Sequence, residues 1–199
     1  MEHIAVRSIG RMEMSEPLAD DCEIVKRVAQ GDRQALAELY GRYQRPLFHY
    51  LLQLTPDYGL AEEMLQDTLV AVWKSARSFE ARSSVLTWLI GIARRQAHNT
   101  LRRHRLPFAD ESDLLELPAN DPEPEEFALA SVERDELVAA FRQLAPVHRE
   151  ILTLTFVQEL SYQETAQALG VPLGTVKSRL SNAKKALRVL LESREGTKR

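Results

Sequence analysis

The segment from Leu106 to Glu126 constrains the fold most. It contains Pro107, Pro118, Pro122 and Pro124 and has no Lys or Arg. Proline interrupts a helix, and like charges repel and extend the chain. A structureless loop of about 20 residues is uncommon inside one compact domain. The segment therefore predicts an acidic, flexible linker over 106–126 that joins two separate domains, in preference to a long surface loop within one domain.

Charge is distributed in blocks along the chain. Residues 32–105 hold 11 basic and 7 acidic side chains, residues 106–136 hold 1 and 11, and residues 137–199 hold 10 and 5. Because two basic blocks flank an acidic one, the net charge of −3 says little about binding to polyanions. The longest apolar run is far short of the about 20 residues of a membrane span. The single cysteine, Cys22, excludes an intramolecular disulfide. We predict a soluble cytoplasmic protein with no membrane insertion.

Apolar residues recur at i, i+3 and i+4, and no useful β-alternation is present, which predicts an all-α fold. The first domain is predicted over 21–105, with helices at 22–30, 32–54, 59–75 and about 83–104. The second is predicted over 127–192, with helices at 127–143, 146–157, 161–169 and 173–192. Residues 1–20 and 193–199 are predicted to be tails. Trp73 and Trp88 lie on apolar faces and are predicted to pack in the core.

The stretch 161–187 has helix-turn-helix spacing. Ser161 and Glu164 form a capping-box pattern, Gly170 supplies a tight turn, and Val176 begins an apolar stripe on the last helix. An ordinary helical hairpin with a solvated basic face is the simpler alternative. However, residues 173–199 contain eight Lys or Arg and two Glu, which favours a phosphate-binding surface. The residues predicted to face the major groove are Thr175, Lys177, Ser178, Arg179, Ser181, Asn182 and Lys185.

A second cationic surface is predicted on the last helix of the first domain. Residues 81–105 contain six arginines and no acidic residue, whereas a face that only confers solubility normally mixes charge signs. The loop at 79–84 leads into this helix. The candidate nucleic-acid contacts on the helix are Arg94, Arg95, His98, Asn99, Arg102 and Arg103.

Three stretches together resemble a known family. They are residues 61–103, LAPVHREILTL at 144–154, and GTVKSRLSNAKKAL at 174–187. In these the chain is similar to the extracytoplasmic-function (ECF, group 4) sigma factors of the sigma-70 family of RNA polymerase. The resemblance extends from about 31 to 191. It implies that the first domain is sigma region 2 and the second is sigma region 4.

The resemblance implies a role in promoter recognition and DNA melting. Region 4 would read the −35 element with the groove-facing residues given above. Asn182 stands where family members often carry arginine, and Ser181 where they often carry a bulky or basic residue. An amide favours adenine and a guanidinium favours guanine, so the preferred −35 sequence is expected to differ. Region 2 would read the −10 element with the arginine-rich helix and the loop residues Arg82, Ser83, Ser84 and Val85.

The resemblance also implies protein partners. Glu63, Gln66 and Asp67 would contact the β′ clamp helices of core RNA polymerase, and apolar residues within 147–156 would contact the β-flap tip. The acidic linker would run through the polymerase cleft toward the RNA exit path. An anti-sigma factor is expected as a further partner.

Two other functions remain open from the residues alone. One is a stand-alone helix-turn-helix regulator whose N-terminal helical domain senses a ligand or dimerises. The other is a helical enzyme or scaffold with incidental basic faces. A sensor domain needs no arginine helix following a Gln-Asp-Thr helix, which favours the sigma-factor interpretation. The sequence shows no glycine-rich phosphate loop, no nucleophile triad and no metal-ligand spacing. We therefore predict no enzymatic activity, no cofactor and no metal site.

Overall fold

The structure, a computed structural model, describes residues 17–104 and 134–195, and every regular element in these two ranges is helical. The predicted all-α fold is confirmed. The first range forms α1 (Pro17–Ala29), α2 (Arg33–Leu54), α3 (Tyr58–Ser75) and α4 (Val85–Arg103). The second forms α5 (Arg134–Gln143), α6 (Pro146–Leu152), a π-helical turn (Thr153–Val157), α7 (Tyr162–Leu169) and α8 (Leu173–Glu195).

Three helices of the first domain begin at side-chain caps. The carboxylate of Asp32 accepts hydrogen bonds from the backbone N–H groups of Gln34 and Ala35 at the start of α2. Asp57 caps α3 and Ser84 caps α4 in the same way. Each cap satisfies backbone donors that have no partner inside the helix. These caps fix where α3 begins and where the loop before α4 ends.

Each domain buries a core drawn from all of its helices. Val25, Leu39, Met64 and Leu89 represent α1 to α4 and are at most 2% exposed. Such burial is the main stabilising contribution to a small helical domain. Trp73 and Trp88 are half-buried against this core, so the prediction that they pack inward is confirmed.

The second domain contains the predicted helix-turn-helix. Pro146 begins α6, where its missing N–H costs nothing because that group has no intrahelical partner anyway. Gly170 adopts a φ of 69° between α7 and α8, a left-handed conformation that glycine reaches without steric cost. Ala140, Ile151, Leu154 and Val176 are fully buried. The turn thus holds α8 across α7 with one face outward.

The two domains pack against each other, which the sequence did not predict. Helix α4 lies against α7, and α2 lies against α6. The buried apolar residues of both domains join into one continuous cluster. The contact also contains polar groups: Gln158 donates to the Pro46 carbonyl over 3.1 Å.

Several predicted boundaries differ from the structure by a few residues. Helix α1 begins at Pro17, so residues 17–20 are not part of a tail, and α8 continues to Glu195 instead of ending at 192. Proline is favoured in the first turn of a helix. Pro17 therefore marks the start of α1, which the apolar periodicity does not show. The predicted linker at 106–126 and residues 127–133 of the predicted helix at 127–143 lie outside the described residues.

Candidate nucleic-acid and protein interfaces

Helix α8 presents a basic face beside the tight turn. Its inner stripe is Val176, Leu180, Ala183 and Leu187, each less than 9% exposed. Lys177 and Lys185 are exposed, and Thr175, Ser178, Ser181 and Asn182 are half-buried. A helix held this way can enter the major groove with its first turns.

Arg179 does not lie where the sequence predicts. It is 8% exposed, and its Nε has no hydrogen-bond partner. The prediction that it stands on the outward face with Lys177 is therefore wrong for this arrangement. Residue 179 follows Val176 by three positions, so it shares the inner side of α8. The long aliphatic stem of arginine can pack along apolar surface.

The loop before α4 carries the other predicted DNA-reading residues. Arg82 is exposed and pairs with Glu80, and Ser83 and Ser84 are half-buried. Ser84 caps α4 through a 3.2 Å hydrogen bond from the Thr87 N–H. Ala81 has a φ of 54°, which is costly for a residue with a β-carbon and is often found at functional sites.

The prediction that Val85 faces nucleic acid is wrong. It is 1% exposed and belongs to the core of the first domain. As the first residue of α4 it lies directly after the cap, where an apolar side chain anchors the helix start. The polar surface of the loop therefore ends at Ser84.

The cationic residues of α4 divide among three environments. Arg94 is 19% exposed and faces the second domain, where its Nε lies 3.1 Å from Glu150. Arg103 faces α3 and bonds to Glu63 and Asp67. Arg95, Asn99 and Arg102 are exposed and His98 is half-buried. Among the described residues, Arg95 and Arg102 are thus the exposed cations of α4 that form no ion pair, whereas Arg94 near the middle of the helix and Arg103 at its end are engaged in ion pairs.

A cavity of about 600 Å³ lies between α4 and α7. The first domain contributes Ser83, Trp88, Arg95 and His98 to its wall, and the second domain contributes the end of α7 and Gly170. Hydroxyl, imidazole and guanidinium donors beside an indole ring suit a nucleotide base and its phosphate. The sequence could not show this cavity because it depends on contact between the domains.

The predicted polymerase-docking residues lie on α3. Gln66 is exposed and Asp67 partly so, whereas Leu65 and Val72 are buried, as the helical pattern predicts. A groove of about 330 Å³ runs beside them. Tyr58 on its wall is 62% exposed, and its ring packs edge-on against Phe48 with centroids 4.9 Å apart. No local sequence pattern indicates this groove, because its aromatic residues come from two helices.

The apolar residues of 147–156 are mostly core residues, in contrast to the prediction of an apolar docking surface there. Val147, Ile151, Leu152 and Leu154 are each less than 9% exposed. The exposed apolar side chains of this part are Phe156 at 58% and its neighbour Val157. The Nζ of Lys184 lies 5.4 Å from the centre of the Phe156 ring, so a cationic group borders this surface.

In residues 17–104 and 134–195, no group of three or more His, Cys, Asp or Glu side chains could hold a metal ion. No helix in the same ranges is long and apolar enough to cross a membrane.

Comparison with known proteins decides the family. The model of Sigma-70 region 2 matches residues 39–106, and that of Sigma-70 region 4 matches residues 134–187. The ECF RNA polymerase sigma factor RpoE of Cereibacter sphaeroides is 32% identical over 158 residues, which are 79% of this chain and 86% of that protein. The chain belongs to the ECF sigma factors of the sigma-70 family. This sigma factor is thus a member of a family that directs RNA polymerase to promoters, and the stand-alone regulator is disfavoured because region 2 is present.

Solved structures show the same fold. CnrH, in a complex with the cytosolic domain of CnrY, has a TM-score of 0.62 and 20% identity, covering 87% of this sigma factor and 97% of that chain. The sigma factor RpoE of Bartonella quintana, in a complex with the anti-sigma factor NepR, has a TM-score of 0.56 and 25% identity, covering 78% and 97%. The two family regions correspond to the helices α2–α4 and α5–α8.

Proposed function

We propose that this sigma factor reads the −35 element with α8, reads the −10 element with α4 and its preceding loop, and docks on core RNA polymerase through α3. The observation that carries the proposal is that each domain presents its own cationic surface, one on a helix-turn-helix and one beside an aromatic cavity. Duplex and separated strands require these two different kinds of surface.

Reading of the −35 element rests on the first turns of α8. Lys177 and Lys185 are exposed and suit phosphates, while Ser178, Ser181 and Asn182 are placed to reach base edges. The Asn182 amide is expected to pair with adenine. Arg179 contacts DNA by turning its side chain outward from this buried position.

Reading of the −10 element rests on the loop and the exposed middle of α4. Arg82 and Arg95 are exposed cations, and Ser83 and His98 line the cavity next to Trp88. A base turned out of the duplex needs a pocket, and the displaced strand needs a cationic path. Asn99, Arg102 and Arg103 extend that path along the helix.

Docking on polymerase rests on the acidic and amide groups of α3. Glu63, Gln66 and Asp67 are suited to a basic coiled coil such as the β′ clamp helices, and the groove beside Tyr58 offers apolar contact area. For the β-flap tip we propose the exposed pair Phe156 and Val157 in place of the buried residues before them.

The remaining assignments follow from the family. Because the similar structures are complexes with regulatory partners, we propose an anti-sigma factor for this protein. We further propose that it acts in the cytoplasm, has no catalytic activity of its own, and passes its acidic linker through the polymerase cleft.

The decisive experiment is run-off transcription with purified core polymerase on a promoter library. The full chain should select a −35 and −10 pair, and core polymerase alone should not. An Arg95→Ala variant should lose transcription from duplex promoters and weaken binding to a template pre-melted at −10. Lys26→Ala, which removes an exposed cation of α1 that the proposal assigns to none of these surfaces, is the matched control. Equal activity of Arg95→Ala and the control on every promoter would contradict the assignment of α4.

A further inference from the structure

The cavity between α4 and α7 has two walls of different chemistry. On the α4 side, Ile92, Arg95 and His98 line it at intervals of three residues, so they lie on one face of that helix. Arg95 is exposed, whereas Arg94 beside it is neutralised by Glu150 at 3.1 Å. Among the residues that the structure describes, no Asp or Glu lines the cavity. This wall therefore offers an anion the Arg95 guanidinium without an opposing carboxylate.

An indole ring supplies most of the apolar surface of the α4 wall. Trp88 lines the cavity and packs on Phe79, with the ring centroids 4.9 Å apart. Small-molecule sites are lined mainly by aromatic and apolar side chains with a few polar groups among them, and the cavity volume of about 600 Å³ is in their usual range. An indole beside a guanidinium suits a planar heterocycle that carries a phosphate.

The α7 wall contributes hydrogen-bond acceptors. Ala168 and Leu169 line the cavity in the last turn of α7, where carbonyl groups lack partners inside the helix. The residue four positions after Ala168 is Pro172, which has no N–H to donate. The Ala168 carbonyl oxygen lies 3.7 Å from where a β-carbon on Gly91 of α4 would stand, so this acceptor lies on the side facing α4. The exposed amide of Gln167 adds a donor and an acceptor at the same helix end.

We propose that this cavity binds a free nucleoside monophosphate, with the phosphate on Arg95 and the base between Trp88 and the end of α7. The exocyclic amino group of adenine, guanine or cytosine donates to the Ala168 carbonyl, whereas uracil has no such group. The site differs from the proposed −10 contact because one of its walls belongs to the second domain. It shares Arg95 with that contact, but it does not share Gln167.

Calorimetric titration of the full chain with AMP, UMP, adenosine and inorganic phosphate tests the site. AMP should bind more tightly than adenosine or phosphate, because only AMP engages both walls. It should also bind several-fold more tightly than UMP, which lacks the amino group. Absence of AMP binding at millimolar concentration would overturn the proposal. Phosphate that binds as tightly as AMP would overturn it too, because the cavity would then hold an anion without recognising a base.

Each wall offers a matched pair of exposed residues for substitution. Arg95→Ala removes the cation of the α4 wall, and Arg102→Ala removes an arginine two turns further along α4 that does not line the cavity. Gln167→Ala removes the amide of the α7 wall, and Gln163→Ala, one turn earlier on α7, is its control. Circular dichroism checks that all four variants are folded.

The two walls should respond to substitution by different amounts. Arg95→Ala should weaken AMP binding about tenfold or more, as expected for loss of hydrogen bonds to a charged group, and Gln167→Ala about threefold, as expected for a neutral one. Arg102→Ala and Gln163→Ala should bind AMP as the parent does. If either cavity variant binds AMP as tightly as its own control, the two-walled site is wrong.

Transcription assays separate this inference from the proposed function. Gln167→Ala should leave run-off transcription as in the parent, because Gln167 is not among the residues proposed to contact DNA or polymerase. If Arg95→Ala weakens binding to the pre-melted template but leaves AMP affinity unchanged, the nucleotide site is overturned and the −10 assignment stands. If it weakens AMP binding but leaves template binding unchanged, the nucleotide site stands and the assignment of Arg95 to the −10 element fails.

Discussion

Arg103 of α4 and Asp67 of α3 form an ion pair, with 3.2 Å between Nη2 and Oδ2. The same nitrogen lies 3.1 Å from Glu63. A residue proposed for promoter DNA is thereby joined to two residues proposed for polymerase. Since all three side chains are about half exposed, the pairs contribute little to folding and can be exchanged for contacts with a partner.

Reversal of charge at Asp67 tests the docking surface. Asp67→Lys should weaken binding of core polymerase about tenfold or more, because it places a cation against a basic coiled coil. Stability should change little, since exposed substitutions usually cost less than about 0.5 kcal/mol. Glu23→Lys on α1, which breaks the exposed pair with Lys26, is the control. Titration of core polymerase with labelled protein measures both, and equal affinities would remove Asp67 from the docking surface.

Substitutions of Lys177 and Asn182 distinguish phosphate contacts of α8 from contacts that read bases. Lys177→Ala should weaken binding similarly for all −35 sequences and lower the slope of affinity against salt concentration by about one. Asn182→Arg should instead shift the preference at one −35 position from adenine to guanine. Affinity measured over a set of single-base −35 variants at two salt concentrations distinguishes them. If Asn182→Arg changes the affinity for all −35 variants equally, this residue contacts the DNA backbone and does not read a base.

The pH dependence of stability tests the carboxylate of Glu164. Partial burial opposes its charged form, but hydrogen bonds from the Ser161 backbone and hydroxyl and from Ser84 and Thr87 outweigh this, so the pKa of Glu164 is lowered from 4.5. A lowered folded-state pKa contributes stability above about pH 4.5, and that contribution is lost as pH falls through the folded pKa. Glu164→Gln should therefore unfold with a weaker pH dependence below pH 4.5 in denaturant titrations. A slope identical to that of the parent would exclude this carboxylate as its source.

Two glycines should respond oppositely to alanine. Gly170 has a φ of 69° at the turn, so Gly170→Ala should lower the free energy of unfolding by about 1–2 kcal/mol. Gly41 lies inside α2 with no atom within 4 Å of an added β-carbon, so Gly41→Ala should raise it by about 0.5–1 kcal/mol. Thermal denaturation followed by circular dichroism measures both. Destabilisation by Gly41→Ala would contradict the expectation that α2 has room for a β-carbon at this position.

Local signals in the sequence predicted most of the fold. Asp32, Ser161 and Gly170 mark helix ends through backbone geometry that depends on neighbouring residues alone, and the helices follow as predicted. Pro17 shows the limit of apolar periodicity as a signal. Residues 17–20 do not extend the apolar pattern, yet they form the first turn of α1. Periodicity also did not predict that Arg179 is buried. This residue has the helical spacing of a core position, but its side chain is charged.

The candidate site was predicted less completely than the fold. The outward residues of α3 and the exposed lysines of α8 follow from helical spacing and are where the sequence places them. The pairing of Arg94 with Glu150 joins residues 56 positions apart, and no local pattern encodes such a contact. The cavity and the aromatic groove depend on packing between elements in the same way, and so does the burial of Val85.

Helix α8 packs on α5, α6 and α7, whereas the first domain packs on α6, on α7 and on the π-helical turn. The element proposed to read duplex DNA is therefore distinct from the elements that make the main contacts with region 2. A designer can transplant the outward face of α8 from another sigma factor while keeping its inner stripe. The recipient is expected to acquire the −35 preference of the donor and to keep the contact between its two domains. Promoter choice can thus be changed without redesign of the domain contact.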